Sequence, residues 1–350
     1  MEHQNLLGYT LEQMEQAIAQ MGHKPYRAKQ LFKWLYNNRQ YDFELMTDFA
    51  KELRGELAQK FTFEGPPLET RLVSQDGTEK YLFRLSDGNP VETVLIPDGD
   101  RRTACVSSQS GCALACRFCA TGTMGLLRNL TVGEILWQLI YLRQVHGDEA
   151  FSNVVFMGMG EPLQNYDNVI EAINIITHHL GFNFGAKRTT ISTSGITPKI
   201  RKLADSGLKT RLALSLHAAT QEKRVKIMPV AQTFGLEKLM EAIRYYTETT
   251  GERVMFEYIL FDGFNDSRAD IDALIKLVRG IPCKINILPY NPIPGLDFKR
   301  PSDERVDWFA RELHKDTPAV TVRRSRGRDI DAACGQLAAR RTTPSALSLG

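Results

Sequence analysis

Apolar positions recur at helical spacing near the start of the chain. Leu11, Met14, Ala17, Ile18 and Met21 share one face until Gly22 breaks the pattern. The reading extends to a small helical accessory domain over residues 1–62. Its second helix, Tyr26 to Tyr36, aligns Leu31, Trp34 and Leu35 in a stripe that core packing alone explains. The same helix interleaves Arg27, Lys29 and Lys33 with Tyr26, Phe32, Trp34 and Tyr36, a mixture able to grip phosphates and stack on bases.

From Leu68 to Pro97 the pattern becomes strand-like. Gly77 and Gly88-Asn89 punctuate runs such as Lys80 to Leu85 and Val91 to Ile96, which predicts an antiparallel hairpin within residues 63–100. After residue 100 apolar runs alternate with amphipathic helices. The runs are Thr103–Val106, Phe151–Met157, Arg188–Ser192, Thr210–Leu216, Val254–Phe261 and Cys283–Leu288. Six alternations predict an α/β fold with a mostly parallel sheet, an incomplete (β/α)6 barrel over residues 101–338, followed by a tail at 339–350. Ligands in such folds sit where strands end and loops begin. The informative segments fall there: a cysteine cluster after the first strand, Gly158-Met159-Gly160-Glu161-Pro162 after the second, and Ser192-Thr193-Ser194-Gly195 after the third.

Composition narrows the class. The 350 residues, 43% hydrophobic and 24% charged with net charge +3, describe a globular chain of about two domains, or one barrel with an appendage. No run reaches the ~18 apolar residues of a membrane span, and the first residues lack a secretory pattern, so a reducing cytoplasm is expected. There are six cysteines, too few for a disulfide scaffold. Three crowd into Cys112-Ala-Leu-Ala-Cys116-Arg-Phe-Cys119; the others are Cys105, Cys283 and Cys334.

A closed structural zinc site needs four protein ligands, and no fourth Cys or His stands within usual spacing of this trio. Three thiolates on a four-iron cluster leave one iron open to something that is not protein. The C-x3-C-x2-C spacing, with Phe118 before the last Cys, resembles the radical S-adenosylmethionine (SAM) superfamily. That resemblance implies a 4Fe-4S cluster on Cys112, Cys116 and Cys119, with SAM chelated by the open iron and cleaved to a 5′-deoxyadenosyl radical. The Gly158–Pro162 segment is similar to the superfamily's stretch that holds the SAM amino group.

The likeness goes further. Val91–Pro97, Ser107–Cys112, Phe156–Leu163, Ser192–Gly195 and Asp329–Leu337 resemble the RlmN family, with coverage from about Tyr26 to about Ala338. That family methylates carbon 2 of adenosine in 23S ribosomal RNA and in certain tRNAs. Carbon 2 is electrophilic, so polar methyl transfer from SAM cannot reach it. The resemblance implies that one SAM methylates Cys334 and that the radical from a second SAM activates this methyl for addition to the ring. Cys105 matches the family's second cysteine, which attacks the Cys334 sulfur and frees the product through a transient disulfide. Glu92 matches its proton acceptor, and Gly160, Glu161, Ser192, Ser215, Leu216, His217 and Asn291 match its SAM contacts. An external flavodoxin-like or ferredoxin-like reductant and a monomeric state complete the expectation. Cys283 reads as a structural residue.

Three alternatives stand beside this. The related Cfr family methylates carbon 8 with the same cysteines, although Glu161-Pro162-Leu163 and Arg326-Gly327-Arg328 look more like the carbon-2 enzymes. A radical SAM enzyme with a non-RNA substrate would not need Cys334. A non-enzymatic iron-sulfur RNA-binding module would not cleave SAM. For RNA, the net charge says little, but between Gly185 and Met228 ten Lys/Arg face only Asp205 and Glu222, and Arg323, Arg324, Arg326 and Arg328 precede Cys334. These predict a basic rim around the strand ends that neutralises phosphates. A base buried in folded RNA would have to be extruded to reach the cluster.

Overall fold

The computed structural model describes residues 3–317 and 319–338. Ten strands form one sheet in which chain order is also spatial order. We number them β1 (Leu68–Val73), β2 (Glu79–Arg84), β3 (Pro90–Asp98), β4 (Arg101–Cys105), β5 (Asn153–Phe156), β6 (Thr189–Thr193), β7 (Arg211–Ser215), β8 (Val254–Leu260), β9 (Cys283–Pro289) and β10 (Val320–Val322). Strands β1 to β4 pair antiparallel, and every pair from β4 to β10 is parallel. Strands β1 and β10 lie at opposite edges, so the sheet does not close.

All six expected parallel strands are present, within two residues or so of the expected bounds at most ends. They were legible because strands covered on both faces read as unbroken apolar runs: Leu212, Ala213 and Leu214 of β7 are all fully buried. The seventh parallel strand, β10, spans only three residues, too few to show a period. The hairpin is no separate piece. Its strands extend the barrel sheet, with Val94 of β3 opposite Cys105 of β4.

Helices cover the parallel strands. Residues Leu236–Thr250 bury Leu236, Leu239, Met240, Ile243 and Tyr246, spaced three or four apart, toward the sheet. Thr131 opens the helix Val132–His146 with a capping box closed by Glu134.

The N-terminal helices, Leu11–Gln20, Tyr26–Phe32 and Lys51–Lys60, share one continuous apolar core with the barrel. The seam is tight: a Cβ on Gly8 would stand 2.4 Å from the backbone nitrogen of Gly133. Buried Tyr36 accepts a hydrogen bond from the Gly8 amide at 2.9 Å. Leu31 and Leu35 are buried as the stripe predicts, while Trp34 is half-buried and donates to Asp48. Tyr26, Lys29 and Lys33 remain exposed. The tail at 339–350 lies outside the described residues.

Candidate active site

Beyond Cys105 the chain keeps the direction of β4, with the Val106 amide donating to Val155 O at 2.9 Å. A short antiparallel ladder, Gln109–Gly111 with Leu126–Asn129, then projects a hairpin whose tip carries the three clustered cysteines. Gly111 has φ +74, and a Cβ there would lie 1.9 Å from Gly125 O, so only glycine fits. At the tip Cys119 N donates to Cys116 O at 3.1 Å, and Arg117 N donates to Ile227 O at 2.9 Å, which ties the hairpin to the segment after β7.

The hairpin forms one wall of a cavity of about 1120 Å³, open at its mouth, above the C-terminal ends of the parallel strands. Its lining joins Cys112, Cys116 and Cys119 with Cys105, Cys334, Gly160, Glu161, Ser192, Ser215 and His217. Burial pushes the Cys112 thiol up to about 12 and raises Cys116 and Cys119 as well. Such thiols ionise only when a cation compensates them, as a metal centre does. Among the described residues no three His, Cys, Asp or Glu stand close enough for a single metal ion. A four-iron cluster is wider than one ion, and an all-thiol set of three in an apolar pocket fits it with one iron open.

The opposite wall is made by strand ends. Gly158 and Gly160 let the segment after β5 press on the chain after β4: a Cβ on Gly158 would meet Ser107 Oγ at 2.6 Å, and one on Gly160, whose φ is +97, would meet Gln109 Cβ at 2.5 Å. Glu161 is buried, and its carboxylate accepts from Ser194 N at 2.7 Å and Leu163 N at 3.1 Å. Burial raises its pKa, and these two amides oppose the rise.

His217 is buried in the left-handed region at φ +55. Its Nδ1 accepts from Ile259 N at 3.1 Å, so the neutral ring carries its proton on Nε2. Burial, then the charge of Arg224, lowers its pKa to about 3, and the ring packs edge-on against Phe118 at 4.9 Å. Leu216 is fully buried and does not line the cavity. Asn291 does not line the cavity; its Nδ2 donates to Cys334 O at 3.1 Å.

Cys334 sits on a loop over residues 327–337 that closes a third side. Gly335 O accepts from Ala120 N at 2.7 Å and Leu337 O from Thr121 Oγ1 at 2.6 Å, so the loop rests on the turn after Cys119. The turn between β1 and β2 grips its other end. Asp329 accepts from Ser74 Oγ at 2.5 Å and Gln75 N at 3.1 Å, and Asp76 accepts from Gly327 N at 2.8 Å.

Cys105 is buried, with its thiol pushed up to about 12 by burial and then by the nearby Cys334 sulfur. Cys334 has an exposed surface yet is ringed by protein atoms, an enclosure that raises its thiol as well, while Arg323 opposes the rise at both thiols.

Glu92, on β3, is buried outside the cavity lining. Its Oε1 lies 3.2 Å from Lys80 Nζ, and Lys80 also donates to Asp331 O, in the Cys334 loop, at 3.2 Å.

Two further charged residues line the cavity, Arg323, which the expected rim included, and Glu257, which sequence reasoning missed. Arg323 follows β10 at the cavity mouth. Glu257, in β8, is buried; one carboxylate oxygen accepts from Asn286 at 2.8 Å and the other has no hydrogen-bond partner. A lone Glu within the apolar run Val254–Phe261 was the available signal.

The expected basic rim is corrected for its Gly185–Met228 part, while Arg323 of its second part does line the cavity. Lys187, Arg188, Lys209 and Arg211 lie at or just before the N-terminal ends of β6 and β7, the end of the sheet away from the cavity. Lys223 is paired with buried Asp270 at 2.6 Å, and Arg224 is fully buried. Charge counting along a β/α chain does not distinguish the two ends of a strand.

Comparison with known proteins points the same way. Residues 106–278 match the radical SAM superfamily, and residues 4–63 match the ribosomal RNA large subunit methyltransferase N-terminal domain. The chain is 43% identical over 338 residues to the probable dual-specificity RNA methyltransferase RlmN of Geobacillus kaustophilus, covering 96% of this chain and 93% of that one. It is 46% identical over 342 residues to the dual-specificity RNA methyltransferase RlmN of Rhodospirillum rubrum, covering 95% and 80%. A solved radical SAM methyltransferase from Sphaerobacter thermophilus superposes with a TM-score of 0.91 at 43% identity, covering 96% of this chain and all of that one.

Proposed function

The chain belongs to the RlmN family of radical SAM RNA methyltransferases, and on that premise we propose that it methylates carbon 2 of adenosine in 23S rRNA and certain tRNAs through a methyl group carried on Cys334. The observation that carries this reading is the meeting of Cys334 and Cys105, far apart in sequence, with the three clustered cysteines in one cavity. A radical SAM enzyme that did not route carbon through its own sulfur would have no use for that pair.

Cys112, Cys116 and Cys119 would hold the 4Fe-4S cluster. Gly160, Glu161, Ser192, Ser215 and His217, which line the cavity, would surround SAM, with Leu216 behind them and Asn291 acting through the Cys334 carbonyl that it holds. Bound there, cluster and SAM supply a methyl group and, with a second SAM and an electron from an external flavodoxin-like or ferredoxin-like protein, a hydrogen-abstracting radical.

The chain's own residues do the rest. Cys334 must lose its proton to accept the methyl group, and Arg323 favours that loss. Once carbon joins Cys334 to the ring, the linkage is a stable thioether that needs a nucleophile. Cys105 takes that role: its thiolate bonds to the Cys334 sulfur, the electron pair of the broken sulfur–carbon bond goes to the departing carbon, which takes up a proton to become the methyl group, and the resulting disulfide is later reduced by external thiol. Glu92 would receive the ring proton. Its ion pair with Lys80, which also holds the Cys334 loop, supports a link between loop movement and release of that carboxylate. No helix among the described residues is long and apolar enough to cross a membrane; we assign the protein to the cytoplasm, acting as a monomer.

The test is mass analysis of nucleosides from 23S rRNA and tRNA of a strain lacking the gene, after incubation with reconstituted enzyme, SAM and reductant. The expected product is 2-methyladenosine in both RNAs. Formation of 8-methyladenosine, or of no methylated base, would overturn the reading.

A further inference from the structure

Arg224 is a buried cation without a counterion. It lies in the short helix Gln221–Ile227 that follows β7, and its side chain is fully buried. Its guanidinium Nη2 donates to Ser194 O at 2.6 Å and Ser215 O at 3.3 Å, and its Nε donates to Leu216 O at 3.2 Å. Nη1 is buried with no hydrogen-bond partner, and among the described residues no carboxylate pairs with Arg224. Removing a guanidinium from water costs several kcal/mol, which carbonyl dipoles offset only in part. Burial draws its pKa down to about 10, so it still carries its charge at neutral pH.

Two features show where that charge acts. The helix carrying Arg224 ends at Ile227, whose carbonyl holds Arg117 of the cysteine hairpin, and Ile227 and Met228 pack in one apolar cluster with Cys116 and Phe118. The three carbonyls it grips end β6 and β7, beside Ser192, Ser215 and His217. A thiolate-held cluster is anionic and becomes more so on gaining an electron, and net charge nearby sets its potential.

We propose that Arg224 is a positioning residue with a fixed charge: it locks the ends of β6 and β7 to the cysteine hairpin, and its unpaired guanidinium makes the cluster easier to reduce. The proposal rests on the cluster reading above and deepens it. The anion missing around Arg224 is the one the cysteines hold.

The test uses the full chain, reconstituted anaerobically as wild type, Arg224→Gln and Arg224→Lys. Iron and sulfide content, melting temperature, SAM affinity by equilibrium dialysis and an electron-spin-resonance redox titration are measured. Arg224→Gln keeps donors for the carbonyls and loses the charge. Its cluster should be at least tenfold less reduced at a fixed solution potential, a midpoint about 59 mV more negative for one electron. Arg224→Lys keeps the charge and loses the planar fork. Its midpoint should stay at the wild-type value while SAM binds several-fold more weakly. An unchanged midpoint in a cluster-loaded Arg224→Gln protein overturns the electrostatic role; if that variant does not fold, a shifted midpoint in Arg224→Lys overturns it instead. Wild-type SAM affinity in Arg224→Lys overturns the positioning role. Failure of the wild type to assemble any cluster would instead sink the reading beneath the proposal.

Discussion

Two sides of the cavity are built by different means. The strand-end wall hangs on the parallel ladder: Glu161 is fixed by two backbone amides, His217 by a third, and the glycines after β5 leave no space for adjustment. The Cys334 loop joins no ladder. It hangs on side-chain contacts of Asp76, Asp329, Lys80, Thr121, Asn291 and its own Gln336 and on one backbone bond to Ala120. Each such bond is worth about 1 kcal/mol net, so a handful can open together where a seven-strand parallel ladder cannot. The difference matches the tasks. A wall that orients SAM works best when fixed, whereas on the proposed route the Cys334 sulfur must meet a methyl donor, an adenine and Cys105 in turn.

The strongest way to sharpen this contrast removes atoms the chemistry needs on each side. Replacing Cys112, Cys116 or Cys119 with Ala should eliminate the brown chromophore and all SAM cleavage, because three thiolates are the minimum that leaves one iron open; a variant retaining both would sink the cluster assignment. Cys334→Ala, on the loop, should keep chromophore and radical-dependent SAM cleavage yet transfer no carbon. Cys105→Ala should stop one step later. A covalent protein-RNA species that survives denaturation, requires SAM and reductant, and vanishes in the double variant should build up on a gel with labelled RNA. Normal product from Cys105→Ala would remove that residue from the route.

Intermediate effects should separate by wall. Glu161→Gln turns one acceptor oxygen into a donor facing a backbone amide, which costs about 1–3 kcal/mol. Both the melting temperature and SAM affinity should fall, the latter by about tenfold or more. On the loop, Asp329→Ala removes bonds to Ser74 and Gln75 and should slow carbon transfer several-fold while cluster content and SAM affinity hold. Loss of SAM binding in Asp329→Ala would show that the two sides are mechanically one.

The smallest effect is set by pH. Asp329 is held below the ordinary aspartate value of 3.8 chiefly by Ser74, and Asp76 is held below it by Thr78 and Gly327 against the opposing effect of burial. A depressed carboxylate stabilises the fold above its unfolded value, and this contribution is lost as pH falls through the lower folded value. Cleavage of the 327–337 loop by an acid-active protease should therefore rise only below pH 3.8, and should rise less in Asp76→Ala, where half the latch is already gone.

How much of this was legible follows from which physics each residue obeys. Strands β5 to β9 declared themselves because burial on two faces demands unbroken apolar sequence, and the cysteine trio did so because cluster ligation constrains spacing. Cys334 carried no local signal; only the resemblance of its flanking segment singled it out, since proximity across the barrel is a tertiary fact. Arg224 was misplaced on a surface rim for a related reason. Composition counts charges and says nothing of depth, and a buried Arg reads like any helix-surface Arg until the carbonyls around it are seen. Glu257 was passed over because an apolar run argues for a strand and draws attention from the one residue that breaks it.

The match between strand order and chain order is also an order in time. As the chain leaves the ribosome, N-terminal segments fold first, and each new parallel strand finds its only partner in the strand made just before it. The cysteine hairpin is complete about two hundred residues before Cys334 is synthesised. Until the final loop settles across its mouth, the pocket stays accessible to iron and sulfide, so the cofactor can be installed before its lid exists.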